Sequence, residues 1–470
     1  MFRVEIGLSM ASRGHAVIVL AIDGVTTREC GIGVAVSQYF KAYDAVLAAA
    51  GISAAEPISL FAIGPRVAET SPDYRPDLVR EISALCHRTG GSLGTYPVPD
   101  DASLKAAWGL ASPAKWEQAC VESSALISGI AQRFERVTVM VHGIMLANLR
   151  SYVQEDDSVR LFFVAHSLGM AGNDKLAEQR VAWETAGFGA MCRTPGDKVA
   201  YVSMFTRSLL ADSYGIPDDR LIPFLNGIWA DDPKYRTDTA RSQQVLDQYG
   251  IPAGRDLVFS WGRCVPSKGF DLILDGWGEY QRQCPERTEH LVLLMPSAVA
   301  PADHVAELRK RCDNLGPQSV TPVFDFSDEL PAAMLASARL RGLVFASEFE
   351  SYMLTAAEAI KFSAPSVQHV YYDIPPVREQ YEGMPNSHAF TDRTPGDLAK
   401  TLEAALSCGA SGTKEPPSFV AEAGRFTQAC LTSIGTRAGT SRGAEPSPGP
   451  GPGPRPGTST STCTSTSIGT

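Results

Sequence analysis

Residues Phe345 to Ile360 read FASEFESYMLTAAEAI: an apolar run ends in a short polar turn and then resumes at helical spacing. A strand handing over to a helix in this way is the repeating step of an α/β chain. Two carboxylates, Glu350 and Glu358, stand eight positions apart across the change. Eight residues span about 12 Å if helical and more if partly extended. That is the order of the separation between a ribose and a diphosphate-linked sugar. Carboxylates accept hydrogen bonds from hydroxyls and are repelled by phosphate oxygens, so the pair suits the two carbohydrate ends of such a ligand.

The complement lies earlier, in Ser260 to Phe270, SWGRCVPSKGF, where an apolar strand runs into a turn carrying Arg263 and Lys268. A planar guanidinium binds two oxygens at once and an ammonium acts as a point charge, so two such cations at a strand's carboxyl end suit a diphosphate. Taken singly, Arg263 and Lys268 read as surface cations and Glu358 as a solvated helix residue. Four in order along the chain reverse that reading.

The spacings are G-R-x4-K-G (Gly262-Arg263, Lys268-Gly269) and E-x7-E (Glu350, Glu358). In this order they resemble the signatures of the retaining glycosyltransferases of family 4, in the branch of sucrose synthase and mycothiol glycosyltransferase. The resemblance covers the C-terminal half and implies the GT-B fold, two Rossmann-like doubly wound domains facing across a cleft. It also implies a catalytic set of Arg263, Lys268, Glu350 and His166. The donor site would take Gly31, Gly33, Arg263, Lys268, Glu350, the Leu354 and Thr355 amides, and Glu358 at the ribose. His166 opens a His166-Ser167-Leu168-Gly169 turn similar to the branch's sugar-binding turn, with Lys175 where a basic residue often follows. His142 ends a segment similar to a family V-H-x-H in which Met140 replaces the first histidine, so His142 and Lys175 are acceptor-side candidates. Taken alone, a histidine ending a strand is more often a structural group than a ligand.

Two departures stand out. Cys30 replaces the first glycine of the family's N-terminal G-G-I-G loop, and Ser351-Tyr352-Met353 replaces Gly-x-Gly after the first glutamate. The implied activity is transfer of a sugar from a UDP- or GDP-linked donor to a small polar acceptor, an aminocyclitol or another secondary-metabolite sugar, with retention. The altered loop motivates an alternative: a weak or inactive nucleotide-sugar-binding protein or partner subunit. A nucleotide-sugar epimerase on the same fold is a further one. No cofactor is expected beyond the donor, and no metal, since no Asp-x-Asp sequence is placed to hold one.

The chain has 470 residues, 44% hydrophobic and 20% charged, which is two-domain globular material. With 42 Lys plus Arg against 52 Asp plus Glu, and no basic cluster, nucleic acid is not an expected partner. The 10 cysteines show no C-x-x-C pair or Cys/His spacing, so reduced thiols and a cytoplasmic location are expected. No apolar run is of membrane-spanning length. The oligomeric state is not legible.

In chain order, buried strands are expected at 16–22, 58–63, 137–141, 161–165, 198–203 and 221–228, with a helix over Trp116 to Phe134. After a polar stretch they resume at 257–261, 291–295, 320–324, 343–346 and 366–369. The expected layout is an N-terminal domain over 1–228, with 1–14 an overextended start, and an interdomain linker over 229–255. A nucleotide-sugar-binding domain over 256–415 follows, then a helix over 416–435 returning to the first domain. Residues 436–470, Pro/Gly then Ser/Thr repeats, read as disordered.

Overall fold

The computed structural model describes residues 14–27, 31–53, 58–71, 74–97, 112–154, 156–171, 177–298 and 300–432. The residues before 14, where an overextended start is expected, Cys30, Lys175 and the tail from 436 lie outside the described residues.

The first sheet is built from β1 (His15–Ala21), β2 (Ile58–Arg66), β3 (Leu93–Pro97), β4 (Arg136–His142), β5 (Val159–Ala165), β6 (Lys198–Tyr201) and β7 (Leu221–Pro223). All pair in parallel in the order β3-β2-β1-β4-β5-β6-β7. The second is built from β8 (Leu257–Trp261), β9 (His290–Leu294), β10 (Val320–Val323), β11 (Leu340–Phe345), β12 (Gln368–Tyr372) and β13 (Ser387–Phe390), in the order β10-β9-β8-β11-β12-β13. It too is parallel throughout. These are two doubly wound α/β sheets, as the sequence predicts.

Parallel sheets covered by helices bury both faces, which is why their strands read as continuous apolar runs. In β1, Ile18 and Leu20 enter one core cluster while Val17, Val19 and Ala21 enter the other. In β8 and β9, Phe259, Val292 and Leu294 face one cluster and Val258, Leu291 and Leu293 the opposite one. The short edge strands β3 and β13 were not expected. β7 stops at Pro223, which lacks the N–H to continue a ladder, rather than running to Ile228.

The helix Phe419–Thr432 follows the second sheet but packs on the first lobe, with Phe426 4.6 Å from Phe224 between ring centroids. The chain crosses between the lobes twice, side by side: Ile228 N donates to Pro417 O at 2.9 Å and Phe419 N to Ile228 O at 3.1 Å. Gly227 permits this, since a Cβ there would lie 2.5 Å from Pro417 O. Among the described residues no helix is long and apolar enough to cross a membrane.

Candidate active site

In both sheets the winding direction reverses between the first strand and the fourth, β1/β4 and β8/β11. Ligands of open parallel sheets gather outside the carboxyl ends of the strands at such points. Arg263 and Lys268 follow β8, and Glu350 follows β11, so neighbouring strands deliver them to one crevice. Residues Pro266–Lys268 form a single 3₁₀ turn ended by Gly269 in the left-handed conformation, φ 67°. A Cβ at Gly269 would sit 2.3 Å from Ala346 O, so glycine is needed both for its φ and for the close approach of the two loops. Glu348 N donates to Ser267 O at 2.8 Å, which fixes one loop on the other.

Held this way, Lys268 and Glu350 form an ion pair across 82 positions of sequence, with side chains 18% and 12% exposed. Arg263, five residues before Lys268 on the same loop, is exposed. The helix Leu354–Phe362 starts just after Glu350. No side chain caps it, so the positive end of its dipole and its first amides, those of Leu354 and Thr355, face the same loop.

Glu358, on this helix, is buried and accepts from Lys234 Nζ at 2.9 Å. The Tyr235 hydroxyl also bonds to it, and burial, reinforced by the Glu358 charge, pushes that phenol well above its ordinary value. The Tyr235 ring stacks on Phe362 at 3.8 Å. Lys234 and Tyr235 belong to the stretch between the lobes and were missed from sequence. Asp232-Pro233, whose carboxylate caps the turn through Lys234 N at 3.1 Å, was the available signal of local order there.

On the first lobe, His142 ends β4 and His166 follows β5. His142 Nδ1 and His166 Nε2 are hydrogen-bonded at 2.9 Å, with rings stacked at 28° and Phe224 edge-on to both. Burial lowers both imidazoles, His166 to about 3 and His142 well below its ordinary value, where the neighbouring His166 adds to the effect. Both rings are therefore neutral near pH 7. One nitrogen of the pair must donate and the other accept, which ties the tautomer of each ring to the other.

The turn carrying His166 is clamped from behind. Gly169 N donates to the buried Glu184 carboxylate at 2.9 and 3.2 Å, and the Tyr214 hydroxyl donates to the same group. Arg180 reaches Ser167 Oγ at 3.5 Å. Burial raises the Glu184 carboxyl above its usual range, opposed by these hydrogen bonds and by Arg180. Glu184 lies at helical spacing with the buried Phe188 and Met191, so an acid on an apolar face was its legible signal.

Of the two candidate glycines after β1, Gly31 is exposed with φ 56° and open space around it. Gly33 is buried, and its amide donates to Asp23 Oδ2 at 3.2 Å. A Cβ there would lie 2.0 Å from Asp23 Oδ1. The Gly33 amide thus already serves a carboxylate of the chain itself.

The lobes touch beside the loop that carries Glu350. Ser203 Oγ donates to Ser351 O at 2.6 Å, and Met204 N and Phe205 N donate to the Glu379 carboxylate at 3.1 and 3.4 Å. Tyr352 packs against the first lobe's core. Glu350, Lys268 and their loop are therefore anchored to the strand-end face that bears His166.

No family model matches the sequence, and no curated protein matches it. Solved structures do resemble the fold. A sucrose-phosphate synthase from Thermosynechococcus elongatus superposes with a TM-score of 0.59 at 15% identity, over 89% of this chain and 94% of that one. A glycosyltransferase from Rickettsia africae gives 0.57 at 12%, over 90% and 95%. An α,α-trehalose 6-phosphate synthase from Burkholderia multivorans gives 0.58 at 14%, over 90% and 93%. At such identities the likeness is one of fold: the chain has the two-lobed GT-B architecture.

Proposed function

We propose that this chain is a retaining glycosyltransferase that moves a sugar from a UDP- or GDP-linked donor to a hydroxyl of a small acceptor, in secondary metabolism. The observation that carries this is the Lys268–Glu350 pair across the loops after β8 and β11, with Arg263 on the first of those loops and helix Leu354–Phe362 starting after the second. Its neighbours in fold include a UDP-forming trehalose-phosphate synthase from Burkholderia vietnamiensis.

In this reading Arg263, Lys268 and the Leu354 and Thr355 amides hold the diphosphate. They stabilise the charge that builds on it as the anomeric bond breaks, more in the transition state than before it. Glu358 takes the ribose hydroxyls, Glu350 those of the transferred sugar, and His166 meets that sugar from the other lobe. Gly31 lies on the same strand-end face, and His142 fixes the orientation of His166. The leaving group's charge is met by the chain's own cations rather than by a metal, so turnover should be unaffected by EDTA.

The test is calorimetry with UDP and GDP, followed by product detection with the matching nucleotide sugars. Arg263→Ala and Glu358→Gln should each weaken donor binding or turnover by about 10- to 100-fold, the scale of losing one hydrogen bond to a charged group, with circular dichroism unchanged. Wild-type kinetics in both variants would sink the assignment. Donor binding without any transfer would make the protein a nucleotide-sugar-binding subunit.

A further inference from the structure

The 3₁₀ turn Pro233–Tyr235 lies in the stretch that crosses from the first sheet to the second, and its side chains reach the helix Leu354–Phe362. Lys234 Nζ donates to Glu358 Oε1 at 2.9 Å, and the Tyr235 hydroxyl bonds to the same carboxylate. One turn further along that helix, the Phe362 ring stacks on the Tyr235 ring at 3.8 Å and 16°. Lys234 Nζ lies 4.7 Å from the centre of the Tyr235 ring and 3.9 Å from Asp232 Oδ2, so it is itself held from two sides. The Asp232 carboxylate also accepts from Lys234 N at 3.1 Å. The Tyr235 phenol, pushed well above its ordinary value, stays protonated near pH 7 and faces Glu358 as a donor.

A neighbouring ion pair in the same stretch gives the contrast. Arg236 and Asp231, 3.6 Å apart, have side chains 67% and 78% exposed, an ordinary surface pair. The Glu358 side chain is only 10% exposed. Withdrawing a carboxylate from water costs free energy unless other donors replace the water. Fastening the stretch to the helix needs no such group, because the stack of Tyr235 on Phe362 already does that. Of the roughly four lone-pair sites on a carboxylate, Lys234 and Tyr235 take two and leave two. Two sites on one carboxylate suit hydroxyls on adjacent carbons, the diol of a ribose. We infer that Lys234 and Tyr235 are positioning residues that set selectivity for ribose: they hold the Glu358 carboxylate so that its remaining lone pairs meet the 2′- and 3′-hydroxyls of a ribonucleoside diphosphate together. This rests on the transferase reading and adds to it the residues on which its ribose contact depends. Neither residue touches the reacting atoms. Without Lys234 the carboxylate is free to turn, and a ligand that lacks one hydroxyl then loses less.

Calorimetry on the full chain compares whichever of UDP and GDP binds with its 2′-deoxy and 3′-deoxy counterparts. The wild type should prefer the ribonucleotide by about 10- to 100-fold, the scale of one hydrogen bond to a charged group. Lys234→Met should cut that preference to a few-fold, the scale of a hydrogen bond between neutral groups. It should do so by weakening the ribonucleotide while the deoxynucleotides bind as before. Tyr235→Phe, which keeps the stack on Phe362, should cut the preference partway, and it carries the test if Lys234→Met does not fold. Lys234→Arg, which keeps the charge, should restore most of the preference, and Arg236→Ala should leave it intact. Equal weakening of ribo- and deoxynucleotides in Lys234→Met overturns the proposal, since a purely structural tie predicts that result. So does a preference unchanged in both Lys234→Met and Tyr235→Phe, or one lost equally in Arg236→Ala. A wild type that binds ribo- and deoxynucleotides alike overturns it while leaving the transferase reading standing. Binding of neither UDP nor GDP is the distinct result that removes the transferase reading, and this proposal with it.

Discussion

Met353 occupies a position where the loops that this one resembles in sequence carry glycine, and its backbone there does not require one. Its φ and ψ are −89° and 91°, an ordinary extended geometry that asks for no glycine. Its side chain is 3% exposed and turned into the core that contains Ala356, Ala359 and Phe345, away from the loop's open side. The Met353 side chain therefore takes no space on the loop's outer side. Met353→Ala should cost about 2–4 kcal/mol of stability, the usual range for emptying a buried methionine site, read from urea denaturation. Met353→Gly should bring no gain in UDP affinity. Tighter binding in the glycine variant would mean that the methionine holds the loop away from the diphosphate.

Ser203 joins two elements with one hydroxyl. It caps the helix Met204–Ser208 through Thr206 N, in a capping box, and donates to Ser351 O on the other lobe. Ser203→Ala should lose about 1–2 kcal/mol from the cap and speed amide exchange at residues 351–353; unchanged exchange there would show that the interlobe bond does not hold the loop after Glu350. At this scale the sequence was most informative where a pattern is local. The runs at Leu257–Trp261 and Leu291–Met295 announce themselves because both faces are buried. The G-R-x4-K-G and E-x7-E spacings place Lys268 and Glu350 at two strand ends, which the sheet order makes neighbours. β3 and β13 were missed because a five-residue LGTYP and a four-residue SHAF at sheet edges have too little apolar pattern to read. The Lys234–Glu358 pair spans 124 positions, and nothing local links its members. Glu184 was readable as an acid among apolar positions, but its role at Gly169 depends on how the helix packs.

Across the whole molecule, neutral histidines are built into both lobes. His142 is buried in the first, and His290 and His369 in the second. His290 bonds Thr321 Oγ1 at 2.8 Å, and His369 lies 3.3 Å from the Tyr381 hydroxyl. Burial lowers His290 to about 4, His369 to about 3, and His142 well below its ordinary value near 6.5. His15 and His166 shift the same way, to about 4 and about 3. A lowered folded value means that, from about pH 6.5 downward, the unfolded chain takes up protons that the fold does not. Stability is therefore complete above that point and lost as pH falls toward the folded values. For each fully buried ring the slope approaches about 1.4 kcal/mol per pH unit. Two carboxyls oppose this: burial raises Asp197 to about 6 and also raises Glu184, and a raised acid favours the fold as pH falls. Six imidazoles, counting His388, which burial also lowers, against two acids leave acid destabilising. The midpoint of thermal unfolding should fall between pH 7 and pH 5, and His369→Phe, which removes the titrating group while keeping a ring, should lessen that fall. A midpoint that held steady or rose on acidification would mean that these rings are protonated in the folded state, and with them the pair that orients His166.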